Sequence, residues 1–590
     1  MSIDIETYRL KAQEAIEYVF VKEYHNSLGI PMPIVKMLLP DDANYSTGQY
    51  YITIDKTWQI HLNFGKLPIS YHEFQNEVKV LTRHEIEHYM CCPFDVITHF
   101  RMLKRIRDVY YKHFSHLGIN IEYACGAISN QAADIIVDTK NYYRHSKETL
   151  KSEIDWIKIG ANISACPRHC KLMFLTKEAI WKEDLGINET DPEFLKIVHQ
   201  LADSFTKNGI EDKSSFLDKV EEYAEIFFKL YVEDQKNPQQ SSQQGSQQQS
   251  GQQGSQQQSG QQGPQQQGGQ QGSQQQSGQQ GPQQQGGQWG VGRPKDGDEH
   301  GNAFVFADPD KVKEAIEVLA EETSVEEFID LLAIAGIIGM SDKQKGVLWF
   351  NVQSANIIPI VEFSNTGNKS SYTYPSVWRI GDPIEELDLM LTYMTSPRLI
   401  PGMTTKKWEY VSNDDNGTES KQMDLLLVVD TSGSMGSVMK ESANMHQAVL
   451  ASYGILSYFE STKSKVAFIG FSDKIDAYVD WSDKYDDVRE RLLTNGHGGT
   501  KFPISRIKST LDVRSRDLVT VLITDGDLGN INESVSYFRD YLNDDNKLYI
   551  FLLGGSKSLH SYEPLKNIGA KIYNANNANE FCDMVLTDME

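Results

Sequence analysis

The sequence predicts a multidomain protein with an α+β N-terminal domain, a disordered linker and a C-terminal α/β domain built on a doubly wound sheet. Residues 424–575 alternate apolar strand-like runs with helical patterns, which is typical of a mainly parallel sheet. Residues 238–292 carry no charge and repeat every nine residues as GQQGSQQQS and GQQGPQQQG. A β-helix would need apolar residues to stack in each turn, so this repeat favours disorder.

Chain length and net charge indicate the number of domains and limit the classes of function. The 590 residues exceed one hydrophobic core, and we predict domains at 1–236, 294–423 and 424–590 around a linker at 237–293. Residues 294–423 are expected to form a helical and irregular extension that packs on the C-terminal domain. The net charge of −24 argues against nucleic-acid binding.

The sequence is also expected to be soluble and cytoplasmic, without membrane contact. The N-terminus has acids and helical spacing instead of the basic and apolar regions of a signal peptide. The apolar run 331–338 is far shorter than the ~20 residues that cross a bilayer. Six cysteines are few for this length, which suits a reducing compartment.

In the N-terminal half, helical patterns surround two β-rich runs, 50–54 and 58–63, which predict a strand pair. The main helices are predicted at 5–27, 71–90, 94–114, 128–144 and in several segments up to 231. After the linker, two helices are predicted at 312–322 and 325–338. Strand-like pieces follow at 347–352 and 357–363.

The C-terminal half is predicted to alternate regularly between strands and helices. Strands are expected at 425–430, 466–471, 477–479, 518–524, 547–553 and 571–573. Helices are expected at 440–462, 483–493, 503–511, 532–542 and at the C-terminus.

Three loops of this half carry oxygen ligands: DTSGS at 430–434, GGT at 498–500 and TDGD at 524–527. Each composition alone could be a simple turn. Together they are expected at one sheet edge, where hydroxyl and carboxylate oxygens suit Mg²⁺ or Mn²⁺.

These motifs make residues 424–590 resemble a von Willebrand factor A (VWA) domain with its metal-ion-dependent adhesion site (MIDAS). The resemblance implies five direct or water-mediated ligands: Asp430, Ser432, Ser434, Thr500 and Asp525. It also implies that an acidic side chain of a partner protein completes the coordination. Asp527 matches no position of the motif.

The predicted helix 71–90 contains an HExxH motif, His84-Glu85-Ile86-Glu87-His88. Histidines at i and i+4 share a helical face and can hold one zinc ion, with Glu85 as general base. The alternative interpretation is that His84 and His88 are two exposed histidines on a helix and bind no metal. A third ligand is expected from the helix around residues 130–138, where Asn130, Asp134 and Asp138 share a face; His99 is a weaker candidate.

This half resembles gluzincin-like metallopeptidases, and most closely prokaryotic metallopeptidase domains fused to C-terminal VWA domains. We predict Asp134 as the third zinc ligand, with Asn130 or Asp138 hydrogen-bonded to a ligand. Gluzincins show Glu-x-x-x-Asp on this helix, and Asn130 departs from that pattern. A peptide substrate is expected to pair with strand 58–63. Tyr142, Tyr143 and His145 are candidate oxyanion donors, and Cys166, His169 and Cys170 form a weaker second zinc motif.

Two functions follow from these expectations. The first is a zinc peptidase-like head tethered to a Mg²⁺-dependent docking head, acting with a MoxR-type AAA+ ATPase, which the resemblance implies as partner. The chain contains no GxxxxGK[ST] motif of its own, so the ATPase would act in trans. The second is a non-catalytic adaptor or assembly factor with a chelatase-like layout, in which HExxH is a structural or relic site.

Overall fold

The computed structural model describes residues 5–26, 28, 32–38, 50–54, 59–64, 70–159, 163–236, 309–337, 340–357, 372–377, 406–410, 423–514, 517–526, 528–544, 546–554 and 559–575. The predicted linker and C-terminal helix lie outside these residues. The chain divides into two compact units, Met1–Leu319 with Asp330–Ile338, and Ala320–Ile329 with Gly339–Glu590. Within the described residues, no helix is both long and apolar enough to cross a membrane.

The N-terminal unit is largely helical and holds one small sheet. Its helices are α1 (Ile5–Glu17), α2 (Tyr71–Met90), α3 (Val96–Val109), α4 (Ile121–Ile159), α5 (Arg168–Trp181), α6 (Pro192–Thr206) and α7 (Phe216–Lys236). Its strands are β1 (Ile34–Met37), β2 (Tyr50–Ile54) and β3 (Gln59–Phe64). The strand order is β1-β3-β2, with β1 parallel and β2 antiparallel to β3.

The core of this unit explains how α2 is held. Phe74, Val78 and Ile86 recur along α2 and are fully buried against α1 and the sheet. The apolar residues Ile16 of α1 and Ile60 of β3 belong to the same cluster. One face of α2 is therefore fixed in the core, and its other face is turned toward α4.

Two sequence expectations about this unit need correction. Strand β3 is paired on both sides, so it cannot accept a peptide as an added strand, as was expected for 58–63. The second partner of β3 is β1, which was not predicted, because the prolines of its segment are typical of a loop. Helix α4 is also far longer than predicted and contains a kink at His145.

After residue 308 the described chain forms α8 (Pro309–Glu322), α9 (Val325–Ile334) and α10 (Asp342–Ile357). The prediction of a strand-like piece at 347–352 is wrong, because these residues lie in α10. Ser341 caps this helix, since its hydroxyl accepts from the Gln344 N–H and the Gln344 side chain accepts from the Ser341 N–H. Strands β4 (Tyr372–Val377) and β5 (Lys406–Tyr410) pair antiparallel.

The C-terminal unit is built on a six-stranded mixed sheet. Its strands are β6 (Asp424–Asp430), β7 (Val466–Phe471), β8 (Ile475–Ser482), β9 (Leu518–Thr524), β10 (Lys547–Leu553) and β11 (Lys571–Ala575). The order is β11-β10-β9-β6-β7-β8, and only β8 runs antiparallel to its neighbour. Five helices accompany it: α11 (Asn444–Ser461), α12 (Tyr485–Leu492), α13 (Ile504–Leu511), α14 (Val535–Asn543) and α15 (Leu559–Lys566).

Both faces of the central strand are buried, as its continuous apolar run predicts. Leu426 and Val428 of β6 pack in one cluster with Ile507 of α13 and Phe538 of α14. The alternate residues of β6 are equally buried, and α11 contacts this strand. The sheet therefore carries its polar loops at one edge of a rigid, covered layer.

Candidate metal centres

Helix α2 presents both histidines of the HExxH motif to the neighbouring helix. A capping box starts the helix, with the Ser70 hydroxyl accepting from the Glu73 N–H while the Glu73 carboxylate accepts from the Ser70 N–H. His84 and His88 lie one turn apart, on a face distinct from the buried Ile86. The core contacts of α2 thus fix the rotation that aims the two imidazoles at α4.

Three donor atoms converge between α2 and α4. The Nε2 atoms of His84 and His88 are 3.1 Å apart. Asp134 Oδ1 lies 3.5 Å from His84 Nε2 and 3.3 Å from His88 Nε2. Among the described residues, this is the group whose ligand atoms come close enough to hold one metal ion.

The geometry of these atoms fits zinc. Donor atoms placed 2.0–2.1 Å from a tetrahedral zinc ion lie about 3.3–3.4 Å from one another, close to the three distances found here. Asp134 Oδ1 is buried and has no hydrogen-bond partner among the described residues. Two imidazole nitrogens and a carboxylate oxygen in such contact require a positive charge, which a proton or a metal ion can provide.

The outer nitrogens of both imidazoles are already engaged. His84 Nδ1 donates to Asp138 Oδ1 at 2.6 Å, and His88 Nδ1 donates to the Cys92 carbonyl oxygen at 2.8 Å. In the neutral imidazoles these contacts leave the Nε2 lone pairs directed at the centre. Burial alone would lower the pKa of His84, but the nearby Asp138 and Asp134 carboxylates raise it to about 9.

Asn130 orients the third carboxylate. Its Nδ2 donates to Asp134 Oδ2 at 2.9 Å, which leaves Oδ1 facing the histidines. Ala132 and Ala133 beside it are buried and small. Burial would raise the pKa of Asp134, but its contact with His88 and the charge of His84 lower it. The sequence favoured Asp134 among three residues on one helical face, and the structure places this residue beside the two histidines.

The two glutamates of the motif differ in their surroundings. Glu85 is 4% exposed, and no described residue donates a hydrogen bond to it. Glu87 is fully buried: its Oε1 accepts from Tyr24 and Arg144, and its Oε2 pairs with Lys140 at 2.8 Å. Glu87 therefore ties α2 to α4, whereas Glu85 makes no such contact among the described residues.

Other predicted residues of this half lie in different settings. Tyr142 stacks on Trp181. Its hydroxyl donates to the carboxylate of Glu183, which is not one of the three converging ligands. Tyr143 is exposed, and His145 stands at the kink of α4, 4.0 Å from Glu23.

The remaining histidine and cysteine candidates do not join the centre. His99 is buried on α3, outside the group of three converging ligands. His169 Nδ1 donates to Asp234 at 2.8 Å. Cys166 is half-buried, and burial raises the pKa of the Cys170 thiol to about 12. This segment forms no ligand group among the described residues.

The oxygen-rich loops of the C-terminal unit also meet. Asp430, at the end of β6, accepts from the Ser432 N–H through Oδ1 and from the Thr524 hydroxyl through Oδ2. Ser432 Oγ and Ser434 Oγ are 3.1 Å apart, and Ser434 donates to Asp525 Oδ1 at 2.9 Å. The neighbouring strands β6 and β9 therefore place two carboxylates and two hydroxyls together.

This donor set suits a hard divalent cation, since it consists of oxygen atoms alone. Asp430 is buried, and burial raises the pKa of its carboxyl group despite the opposing hydrogen bonds from Thr524 and Ser432. The Asp525 carboxylate is near enough to add to this effect. A bound cation would neutralise both carboxylates.

Thr500 is connected to this cluster of oxygen ligands less directly than the other predicted residues. Its loop touches the DTSGS loop where the Gly433 N–H donates to the Gly498 carbonyl at 3.2 Å. Gly498 has φ +105°, a backbone conformation that other residues rarely adopt, so glycine is favoured at this position. No described residue hydrogen-bonds to the Thr500 hydroxyl. Asp527 lies outside the described residues.

Several residues of both centres were missed from the sequence. Asn444, the first residue of α11, donates to Asp525 Oδ2 at 3.1 Å, and no sequence motif marks it. Lys177 of α5 donates to Asp138 Oδ2 at 3.0 Å. Thr524 was quoted within TDGD, but its contact with Asp430 depends on strand pairing.

No family model matches the chain, and no curated protein matches it. Solved structures similar to part of the chain include the conserved hypothetical protein BatB from Bacteroides thetaiotaomicron, at 13% identity and a TM-score of 0.24. Another is an aerotolerance-related membrane protein from Bacteroides fragilis NCTC 9343 with multiple mutations to serines, at 13% identity and a TM-score of 0.22. Each covers 28% of this chain and 98% of the other chain. Similarity at this level assigns neither a family nor an activity.

Proposed function

We propose that the N-terminal unit is a zinc-dependent peptidase-like head and that the C-terminal unit is a Mg²⁺-dependent, VWA-type docking head. The observation that carries the first part is the convergence of His84 Nε2, His88 Nε2 and Asp134 Oδ1 beside Glu85. These three residues would hold the ion. A bound zinc ion supplies a Lewis acid that polarises a peptide carbonyl and makes a water molecule more acidic.

The protein residues have separate tasks in this proposal. Asp138 and the Cys92 carbonyl keep the imidazole rings of His84 and His88 oriented through their Nδ1 atoms. Glu85 accepts a proton from the attacking water at its carboxylate and delivers it to the departing amine nitrogen. Its lack of a hydrogen-bond donor among the described residues leaves that carboxylate free for both transfers.

The geometry also favours a different register for the gluzincin resemblance. Glu-x-x-x-Asp corresponds best to Asp134 and Asp138, because Asp134 faces the histidines and Asp138 binds His84 Nδ1. The departure from the pattern is then an aspartate in place of the ligand glutamate. Aspartate is one methylene shorter, so α4 must lie closer to α2, which Ala132 and Ala133 allow.

The peptidase proposal is tested by metal analysis and proteolysis of the purified full-length protein. We expect zinc at about one ion per chain and cleavage of an unfolded protein such as casein. Glu85→Gln should keep the zinc and lose the cleavage. Equal cleavage by both proteins, or zinc far below stoichiometric level, would contradict the proposal.

The docking proposal depends on the oxygen cluster around Asp430. Strands β6 and β9 and the α11 terminus bring its ligands together, and an acidic side chain of a partner would complete the coordination. The expected partner is a MoxR-type AAA+ ATPase that acts in trans. Asp430→Ala with Ser432→Ala should abolish Mg²⁺-dependent pull-down of such a partner, and an unchanged pull-down would refute cation-mediated docking.

A second function, a non-catalytic adaptor or assembly factor of chelatase-like layout, is favoured by the same cluster. The two functions predict different effects of the Glu85→Gln substitution. An adaptor keeps its partner-dependent activity in Glu85→Gln, whereas a peptidase loses it while still binding the partner.

A further inference from the structure

Lys177 is a fully enclosed cation that the proposed hydrolysis does not use. Its side chain is 2% exposed and passes the rings of Phe174 and Trp181, at 5.2 and 5.9 Å from their centroids. Its Nζ donates to Asp138 Oδ2 at 3.0 Å and pairs with Glu153. Burying a lysine is costly, and such pairs are weak evidence for a stabilising role.

Asp138 links this lysine to the proposed zinc centre. Its Oδ1 accepts from His84 Nδ1 on α2, and its Oδ2 accepts from Lys177 Nζ on α5. Both oxygens are thereby fixed by donors from two different helices. Rotation of the carboxylate would cost one of these contacts, so Lys177 determines where the oxygen facing His84 points.

We infer that Lys177 is a positioning residue that acts through Asp138 to hold the His84 imidazole with its Nε2 toward the metal, with Glu153 as the counter-charge. The inference rests on the proposed zinc function. It assigns Lys177 an effect on zinc affinity although the lysine contacts none of the three proposed ligands.

Two physical effects of Lys177 have opposite signs, which makes the inference testable. A positive charge near a cation site weakens binding by Coulomb repulsion, so removing it would tighten zinc binding. Loss of the Asp138 orientation weakens binding instead, and partners of ligating histidines typically contribute about 10–100-fold in affinity. Because Glu153 offsets the lysine charge, the orientation effect should dominate.

The test measures the zinc dissociation constant of the full-length protein by competition with a chromophoric chelator, in excess Mg²⁺ to occupy the oxygen cluster. Lys177→Met keeps the unbranched side chain between the aromatic rings and should weaken zinc binding about tenfold. Lys171→Met is the matched control, because Lys171 is also buried on α5 but pairs with Glu189 at 2.8 Å. The control should bind zinc as the wild type does.

A double-mutant cycle tests the route through Asp138. Asp138→Asn alone should weaken zinc binding, and adding Lys177→Met to it should change little further. The visible absorption of bound Co²⁺ should shift in Lys177→Met and stay unchanged in Lys171→Met. Unchanged or tighter zinc binding by Lys177→Met, or effects that add fully in the double variant, would overturn the inference.

Two further measurements keep the outcomes separate. If Lys177→Met does not fold by circular dichroism, Glu153→Gln takes its place: it keeps Lys177 on Asp138 but removes the counter-charge, so zinc binding should weaken far less than in Asp138→Asn. A loss in Glu153→Gln as large as in Asp138→Asn would contradict the inference. A wild type without stoichiometric zinc overturns the proposed function too, whereas zinc-binding wild type with an unaffected Lys177→Met overturns this inference alone.

Discussion

The hydroxyl of Ser434 donates to Asp525 Oδ1 at 2.9 Å, although the two residues are 91 positions apart in the chain. The contact joins the loop after β6 to the loop after β9. On its other oxygen, Asp525 accepts from Asn444 at the start of α11. Three separate segments are thus held together at the edge of the sheet, and Asp525 is the residue common to their contacts.

The charge of Asp525 is expected to be needed for cation binding. Asp525→Asn can still accept from Ser434 through its amide oxygen, so the loops should stay in place. Loss of one of two carboxylates should weaken Mn²⁺ binding about tenfold or more, measured by titration calorimetry or paramagnetic resonance. Asp480→Asn on the exposed side of β8 is the control. Equal affinity of the wild type and Asp525→Asn would exclude Asp525 as a ligand.

Asp134 is expected to be required for zinc. Asp134→Ala removes one of three protein ligands and should reduce bound zinc from about one ion per chain to a small fraction, measured by atomic emission after dialysis. Asp203→Ala, on the exposed face of α6, should keep its zinc. Full zinc occupancy in Asp134→Ala would move the third ligand to another residue.

Glu87 is expected to affect stability rather than chemistry. Glu87→Gln leaves the enclosed Lys140 with the half-exposed Glu211 as its carboxylate partner, and breaking the buried ion pair should cost up to about 3–5 kcal/mol. Urea unfolding of the N-terminal unit should report this loss. Glu221→Gln, which breaks an exposed pair with Arg105, should cost below about 1 kcal/mol. Similar unfolding midpoints for the two variants would contradict the structural role of Glu87.

His446 is expected to make the C-terminal unit acid-sensitive. Its Nδ1 donates to the Val438 carbonyl, its ring packs against Trp349 and Phe350, and burial lowers its pKa below the usual 6.5. The unfolded chain takes up a proton near pH 6.5 while the folded chain resists it. Stability is therefore complete above that pH and decreases as the pH falls toward the folded pKa, by up to about 1.4 kcal/mol per pH unit.

Urea unfolding of the full-length protein between pH 8 and pH 5, followed by circular dichroism, measures this effect. The wild type should lose stability more steeply with falling pH than His446→Gln, which cannot take up the proton. Comparing the two proteins cancels the contributions of the acidic residues. Parallel pH profiles would show that His446 titrates alike in both states.

Much of the C-terminal sheet could be predicted because its strands are apolar on both faces and short. Residues 547–553 coincide with β10, since no competing periodicity runs through them. The helix α10 was misread because Val347 to Phe350 are β-rich, while the Ser341 and Gln344 cap that starts the helix is a short-range signal easily passed over. Strand β1 was missed for a similar reason, because neighbouring prolines outweighed four residues that pair only with a distant strand.

The site residues likewise differ in how far they could be predicted from the sequence. His84 and His88 could be found because helical periodicity alone puts them on one face. Asp134 was favoured over Asn130 and Asp138 from the sequence, but its distance to the histidines depends on the rotation of α4 against α2, which is set by packing along the whole helix. Lys177 could not be found at all, since a lysine on an ordinary helical pattern gives no sign that it will be enclosed between two carboxylates.

The enclosure of Glu87 limits how this sequence can diverge. A change at position 87 removes the carboxylate shared by Lys140 and Arg144 of α4 and leaves Lys140 with the half-exposed Glu211, so positions 87, 140 and 144 should change together in related chains. Position 86 needs only an apolar side chain of similar volume. Concerted exchange at 87, 140 and 144 would therefore identify distant relatives in which the five-residue histidine motif alone is too short to do so.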